Sequence, residues 1–425
     1  MWDGLPEEDG EQMSDYDYDS RFVCAECFAD EGIKNFIEGS AENNECSFCG
    51  TVADDRIAAR FKDVAKHIND SLYQEYDDAA NCMSYVSAEG GYLGETWSTW
   101  ELLADVIALE LPRDDDESLF KGLVHRLDDN AWCQRNPYSL TYEQETEISW
   151  KEFCHVVKHQ RRYFFRDGDQ GDGEILSPGE LLETILDHAE KIGLIVGIER
   201  GALKVVRARL QRNGEKFETA LDLGPPPLEK ATQSNRMSPA GVVMFYGSDQ
   251  GETALRETAQ SLGPGTYALG EFSNARQIFL LDLANLPDIP SLFQEIPDSM
   301  EYNPRRVLQF LHHVSWEMSQ PVERDGREHI EYVPSQVVTE FVRSTIREGG
   351  RIDGIRYPSA VHRRAASYVL FAHQDNLVVP DDKRPSLRDD DRWLELVARA
   401  ERQVSDEGLE RWKEEIVKPV IDFSD

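Results

Sequence analysis

Long apolar runs and basic residues are both scarce in this 425-residue sequence. No apolar run reaches the roughly 18 residues that a membrane-spanning helix needs, so we expect no membrane segment. The N-terminal stretch MWDGLPEEDG lacks the basic and apolar regions of a secretory signal peptide. Lys and Arg number 45 against 81 Asp and Glu, which gives a net charge of −36. Because nucleic-acid binding depends on cations that meet phosphates, we do not expect a nucleic-acid partner.

The cysteines do not suit a disulfide framework, because they number seven. Four of them form two C-x-x-C pairs separated by 18 residues, namely Cys24 with Cys27 and Cys46 with Cys49. Each pair is a tight turn that presents two thiolates, and two such turns complete a closed tetrahedral zinc site. We therefore predict a structural Zn²⁺, with four buried unliganded cysteines as the alternative. This cysteine usage also predicts a reducing, cytoplasmic location.

The character of the sequence changes near residue 195. Apolar residues recur mostly at helical spacing before it, whereas short apolar runs such as KVVRARL and SYVLFAH after it are typical of strands. We predict an α+β chain in four parts. They are an acidic mobile tail at 1–20, a four-cysteine zinc knuckle at 21–55, a helical N-terminal domain at 56–195, and a β-rich domain with flanking helices and a C-terminal helical tail at 196–425.

Two stretches predict where helices begin. Ser177 and Glu180 form a capping-box pattern with Pro178 in the first turn. Asp249 and Glu252 form a similar pattern, which assigns Glu252 a structural task at a helix N-terminus. The second of these helices is predicted at about 249–262. Further helices are predicted at about 303–319 and 334–348, with one or two more after residue 390.

Two other motifs carry weaker signals. DGDQGDGE, at 167–174, fails the EF-hand pattern at three ligand positions, so we interpret it as a solvated turn. Arg60 and His67 lie seven residues apart in a helical stretch and are expected to share one helix face. This spacing fits the R-x4–6-H motif of HEPN-type ribonucleases, although it is also common by chance.

The segment 199–236 reverses the local sign of charge, with eight basic residues against five acidic ones. Arginine offers paired donors to phosphate oxygens. The segment therefore suits an anionic ligand with phosphates, and a charge-balanced strand edge is the alternative.

The stretch NRMSPAGVVMFYGSDQGETALRE, followed by YVPSQVVTEFV and IDGIRYPSA, resembles the RES domain over roughly residues 200–380. The N-terminal part resembles the HEPN/RES N-terminal region, more loosely. The resemblance implies an ADP-ribosyltransferase-like fold and cleavage of the nicotinamide–ribose bond of NAD⁺. It implies catalytic roles for Arg236, Glu257 and Ser359, and substrate binding by Arg207 and Tyr246.

The resemblance further implies an NAD⁺ glycohydrolase or phosphorylase that acts as a bacterial toxin or defence effector, with an antitoxin or regulatory protein as partner. Three alternatives remain open: a protein ADP-ribosyltransferase, a HEPN-type ribonuclease that uses Arg60 and His67, and a binding module without activity. The sequence leaves the acceptor and the oligomeric state undetermined.

Overall fold

The computed structural model describes residues 18–88, 90–165, 175–212, 214–297, 300–322, 326–347, 350–380 and 391–415. Over these residues the chain is α+β, as predicted, with thirteen helices and one large mixed sheet. Whether the fold is ADP-ribosyltransferase-like stays a prediction. The acidic stretch 1–17 and the DGDQGDGE motif lie outside the described residues. None of the described helices is long and apolar enough to cross a bilayer.

The chain packs into two compact units. The described residues of the first lie within 18–140 and 289–305, and those of the second lie within 141–288 and 306–415. These units are defined by packing alone, and the domain boundaries drawn from the sequence remain predictions.

The first unit combines short helices with two-stranded pairs, so its described part is less purely helical than expected. Its strands pair as β1 with β2, β3 with β6 and β4 with β5. They are β1 (Phe22–Cys24), β2 (Ala58–Arg60), β3 (Tyr76–Asp78), β4 (Tyr85–Val86), β5 (Gly91–Tyr92) and β6 (Trp132–Gln134). The helices are α1 (Glu31–Gly39), α2 (Phe61–Leu72), α3 (Ala79–Cys82), α4 (Thr99–Glu101, continued by a π-helical turn) and α5 (Ser118–Arg126). Fully buried Val23, Phe61 and Trp132 belong to its core.

The second unit is organised by a nine-stranded sheet in the order β16-β17-β10-β8-β9-β15-β14-β11-β7. Its strands are β7 (Ile195–Ile198), β8 (Val205–Leu210), β9 (Phe245–Ser248), β10 (Gly265–Asn274), β11 (Ile278–Asp282), β14 (Gly354–Pro358), β15 (Ala366–Leu370), β16 (Leu377–Val378) and β17 (Leu394–Val404). Apart from this sheet, β12 (Ile346–Arg347) pairs antiparallel with β13 (Gly350–Arg351). Strand pairs β11–β14 and β16–β17 are parallel and the other pairs are antiparallel.

Eight helices accompany this sheet in the described part of the second unit. They are α6 (Tyr142–His159), α7 (Pro178–Lys191), α8 (Ala220–Leu223), α9 (Gly251–Leu262), α10 (Pro304–Ser319), α11 (Glu328–Glu331), α12 (Val333–Ser344) and α13 (Asp406–Glu415). Helix α9 packs on β8 with Ala254, Leu255 and Ala259 turned toward the sheet. Helix α9 therefore lies against the strand that carries Arg207 and Arg209.

One of the two predicted capping boxes forms. At α7, the Ser177 hydroxyl accepts from the backbone N–H of Glu180, and the Glu180 carboxylate accepts from the Ser177 N–H, as predicted. At α9 the prediction is wrong, because the helix begins after Gln250 without a side-chain cap. The Asp249 carboxylate instead accepts from the backbone N–H of Ala366 on β15, 3.2 Å away.

The sequence predicts a helical tail after residue 390, but this part of the chain also contains a long strand. Residues Leu394–Val404 form β17, which pairs antiparallel with the whole of β10 and shifts register once, between Glu271 and Phe272. Helix α13 follows this strand. Because alternate β17 residues such as Glu395 and Arg399 are charged, its apolar signal is weak in the sequence.

Candidate active site

A cleft opens in the second unit where β8 and β9 diverge. The two strands share one paired position, Val206 with Ser248. Gly247 makes this approach possible, because a Cβ there would lie 2.4 Å from Val205 Cγ1 and 2.9 Å from the Val206 carbonyl oxygen. Beyond that point lie two adjoining cavities of about 770 and 600 Å³, whose walls share Arg207, Tyr246 and Glu257. A cleft of this size accommodates a nucleotide-sized ligand.

Glu257 projects into this cleft from α9. The hydroxyls of Ser359 (3.0 Å) and Ser367 both donate to its Oε1. Burial raises the pKa of Glu257 above its ordinary value, while the two serine hydroxyls and the charge of Arg236 act in the opposite direction. The carboxylate is therefore held in one orientation by hydroxyls from two residues that are distant from it in the chain.

The serines around Glu257 come from neighbouring strands. Ser367 on β15 lies opposite Ser248 on β9 and opposite Tyr357 on β14. Residues that face each other across antiparallel strands point to the same side of a sheet. Ser248, Ser367 and Tyr357 therefore form one row beside the carboxylate of Glu257.

Arg207 supplies positive charge to the cleft. It extends from β8, donates to the carbonyl of Tyr246 at 3.5 Å and lies 5.4 Å from the centre of the Phe245 ring. Burial, and then the nearby charge of Arg209, lower its pKa to about 10, which leaves it cationic at neutral pH. Among the described residues no carboxylate pairs with it, so its charge is available to an anion.

Arg236 lines the second cavity from the turn before β9. Its guanidinium donates through one nitrogen to the carbonyls of Met318, at 3.0 Å, and Gln320. The ring of Tyr332 lies 5.9 Å from the guanidinium carbon. Arg236 is therefore held from the end of α10.

Tyr246 stands between the two arginines. Its hydroxyl lies 2.8 Å from the Ser238 hydroxyl, and burial raises its pKa to about 12. It is therefore protonated at neutral pH and presents a neutral ring and hydroxyl to the cleft.

The structure thus brings all five residues singled out from the sequence to one cleft. Arg207, Arg236, Tyr246 and Glu257 line it, and Ser359 reaches it through Glu257. Sequence reasoning missed Ser367 and Tyr357. Ser367 is a small polar residue within the buried run ASYVL, a signal that could have found it. The pKa of Tyr357 lies well above its ordinary value because of burial, and secondly because of the nearby charge of Glu257.

The four paired cysteines cluster in the first unit. Their sulfur atoms all lie within 4.8 Å of one another, and neighbouring sulfurs are separated by 3.7, 3.6 and 3.7 Å. A Zn–S bond of about 2.3 Å gives a tetrahedron whose edge is about 3.8 Å. The thiols therefore form a possible metal site that fits zinc, and the Cys24 N–H donates to Cys46 Sγ at 3.4 Å as metal-bound thiolates commonly require.

Arg60 and His67 do not share a helix face. Arg60 is the last residue of β2, and its guanidinium donates to Glu42 at 2.8 Å. His67 lies in α2, stacks on Phe36 at 4.1 Å and donates to the carbonyl of Phe293 at 2.8 Å. Each residue therefore has a structural partner of its own, and the ribonuclease hypothesis gains no geometric support.

Comparison with known families matches two parts of the chain. The model for HEPN/RES N-terminal domain 1 matches residues 39–170, which include Cys46 and Cys49 but begin after Cys24 and Cys27. The model for the RES domain matches residues 205–392, which include all the cleft residues described above. No curated protein and no solved structure is significantly similar to the chain. RES domains are generally associated with NAD-related toxin activity. The chain is a RES-domain protein with a HEPN/RES-type N-terminal domain ahead of its RES domain.

Proposed function

We propose that the chain degrades NAD⁺ by cleaving the bond between nicotinamide and ribose, with Glu257 as the central catalytic residue. The observation that carries the proposal is the oriented carboxylate of Glu257, whose Oε1 is fixed by two serine hydroxyls. It lies in one cleft with a half-buried cation, Arg207, that has no carboxylate partner among the described residues. A carboxylate and a free cation in one cleft suit a substrate that is anionic at one part and develops positive charge at another.

The bond that breaks joins C1′ of the ribose to the ring nitrogen of nicotinamide. Its electron pair returns to the ring, which leaves as neutral nicotinamide, and positive charge builds on C1′. A fixed carboxylate stabilises that charge, and a contact to the 2′-hydroxyl strengthens as the charge develops. The acceptor oxygen then bonds to C1′ and loses its proton. The leaving ring needs no general acid, because cleavage neutralises it.

The other cleft residues take supporting roles in this proposal. Arg207 and Arg236 bind the pyrophosphate or the ribose side through charge-assisted hydrogen bonds. Tyr246 offers a ring on which nicotinamide can stack. Ser359 and Ser367 hold Glu257, so in this proposal Ser359 acts on the substrate through that carboxylate. An antitoxin or another regulatory partner belongs to the same proposal, since an unregulated NAD⁺-degrading enzyme would deplete NAD⁺ in the cell that produces it.

The acceptor is tested by analysing products after NAD⁺ is incubated with the purified chain, with and without phosphate. We expect nicotinamide together with ADP-ribose, or with ADP-ribose 1-phosphate when phosphate is present. ADP-ribose attached to protein would favour the transferase instead. If NAD⁺ remained intact under both conditions, with the chain folded and free of bound inhibitor, the proposed function would be wrong.

The zinc part of the proposal is separate. Four thiolates fill a tetrahedral site and leave no position for substrate, so a bound Zn²⁺ would stabilise the first unit and take no part in cleavage. Metal analysis of the purified chain tests it directly.

A further inference from the structure

Three buried polar side chains lie on one side of α12. They are Ser335, Gln336 and Thr339, with relative exposures of 8, 6 and 0 %. A buried polar group costs free energy unless it is hydrogen-bonded, and an apolar side chain of similar size would avoid that cost. The bonds that these residues make indicate why polar side chains occupy these positions.

Gln336 binds the segment that carries Arg236. Its side-chain amide nitrogen donates to the carbonyl of Asn235 at 2.7 Å and to the hydroxyl oxygen of Ser234 at 2.8 Å. The amide group of Gln336 therefore forms hydrogen bonds with the two consecutive residues that precede Arg236. This pair of bonds fixes the backbone from which the arginine side chain begins.

The neighbouring residues of α12 hold the same segment. The Ser335 hydroxyl donates to the carbonyl of Arg236 at 2.5 Å and also contacts the carbonyl of Tyr332 at 3.1 Å. The Thr339 hydroxyl lies 3.3 Å from the sulfur of Met237, and it also contacts the carbonyl of Ser335 within the helix. The segment 234–237 is thus held from α12 at every residue.

The far end of Arg236 is held by a different helix. The carbonyls of Met318 and Gln320, at the C-terminal end of α10, accept from its guanidinium. The C-terminus of a helix carries partial negative charge, which favours a cation there. Backbone and guanidinium are therefore fixed independently, the first by α12 and the second by α10.

We propose that Gln336 is a positioning residue for the NAD⁺ site, and that it acts on the substrate only through Arg236. This inference rests on the proposed function for its kinetic consequence, but its structural part does not. A side chain fixed at both ends reaches its ligand without losing further conformational freedom, which is the advantage of a preorganised site. Gln336 itself does not line the cleft.

The kinetic test is a double-mutant cycle between Gln336→Leu and Arg236→Ala. In the wild-type background we expect Gln336→Leu to lower kcat/KM for nicotinamide release by about 10- to 100-fold, the cost of a misplaced binding group. It should change the same parameter, KM or kcat, that Arg236→Ala changes. In the Arg236→Ala background the additional loss should be less than about twofold, because coupled residues are not additive. Equal losses in both backgrounds would overturn the proposal.

A second measurement needs no activity. Hydrogen exchange of peptides that cover 230–244 should be faster in Gln336→Leu and in Gln336→Met, two apolar replacements of similar length, while peptides from β10 keep their protection. Gln309→Leu serves as the matched control, because that glutamine bonds to Glu143 from the first half of α10, away from the carbonyls that hold Arg236. It should alter neither exchange nor kinetics.

These outcomes separate the two claims. Unchanged exchange in both Gln336 variants contradicts the positioning role whether or not the chain cleaves NAD⁺. If exchange is faster in these variants but the wild type leaves NAD⁺ intact, the result supports the hold of Gln336 on the segment before Arg236. It then contradicts only the proposed function.

Discussion

Glu257 is the residue whose surroundings determine the chemistry of the cleft. Burial raises the pKa of Glu257, so ionising this carboxyl in the folded chain costs free energy, and the serine hydroxyls and the charge of Arg236 offset part of that cost. The reaction that we propose needs this ionised form. Active sites commonly contain ionisable groups whose pKa is shifted in this way. The spacing of Glu257 along α9 does not place it on the apolar face of the helix, so the local pattern alone does not predict a carboxylate in a cleft. The bonds to Ser359 and Ser367 come from residues more than 100 positions away, which no local pattern could reveal.

The raised pKa predicts the acid limb of the pH profile. Only the carboxylate form of Glu257 stabilises positive charge, so activity should be present above the pKa of Glu257 and lost as pH falls through it, at a midpoint above the ordinary 4.5. Ser367→Ala removes a donor that lowers this pKa and should move the limb to higher pH. The profile of kcat/KM for nicotinamide release checks both statements, with Ser344→Ala as a control. A limb at or below the ordinary value, or one that Ser367→Ala leaves in place, would contradict them.

The same burial predicts a gain in stability on Glu257→Gln. The folded chain binds a proton at Glu257 more tightly than the unfolded chain, so stability falls as pH rises from 4.5 through the raised pKa and stays lower above it. The variant should therefore be more stable near pH 8, by roughly 0.5–2 kcal/mol, and the gain should disappear at acidic pH. Thermal unfolding at several pH values measures this.

The control for this effect has the opposite sign. Glu252 on the same helix has a pKa lowered by its bond to Arg256, at 2.6 Å. Glu252→Gln should therefore leave stability unchanged or slightly lower at neutral pH. If Glu257→Gln were instead destabilising near pH 8, the cost that we assign to the buried carboxylate would be absent.

At the scale of elements, the divergence of β8 from β9 creates the cleft. Strand existence followed from the sequence, because KVVRARL and SYVLFAH are apolar runs between turn residues and both contain strands. The bounds of β9 do not follow in the same way: the apolar part of GVVMFYG ends at Tyr246, whereas β9 runs from Phe245 to Ser248. Pairing to β15 decides those bounds, and pairing between distant strands is not written in a local pattern.

Gly247→Ala tests the close approach of β9 to β8 at the edge of the cleft. A Cβ would meet Val205 Cγ1 and the Val206 carbonyl, so β9 must shift away from β8, at a cost of about 1–3 kcal/mol. Thermal or denaturant unfolding measures the loss. Gly39→Ala is the control, since nothing lies within 4 Å of a Cβ there. Equal stabilities of the two variants would mean that Gly247 is not needed for the approach.

At the scale of the whole molecule, the two units differ in how much of each was predictable. Cysteine spacing found the cluster of the first unit, because a C-x-x-C turn is local and two turns suffice. The gathering of Arg207, Arg236, Tyr246 and Glu257 was predicted only through resemblance to the RES domain. The helical spacing before residue 195 predicted helices, and α6 and α7 form there, but a local pattern does not reveal that both pack against α12.

The cysteine cluster predicts that metal stabilises the first unit. Purified chain should contain about one zinc ion per molecule, and Cys27→Ser should lose it together with the cooperative unfolding of the first unit. Elemental analysis measures the zinc content. Limited proteolysis of the full chain, with cleavage sites mapped within residues 18–140, measures the unfolding of the first unit. Cys154→Ser, outside the cluster, should change neither. A metal-free wild type of full stability would instead favour four unliganded thiols.

The central claim is that Glu257 is the catalytic carboxylate for the cleavage of NAD⁺. One comparison of variants tests it most directly. Nicotinamide release should be measured for the wild type, Glu257→Gln and Glu252→Gln under identical conditions, with folding of each verified by its unfolding transition. We predict release by the wild type and by Glu252→Gln, and a loss of at least about 100-fold in Glu257→Gln, the scale expected when a stabilising group is removed from the transition state. Release by Glu257→Gln at the wild-type rate would contradict the account.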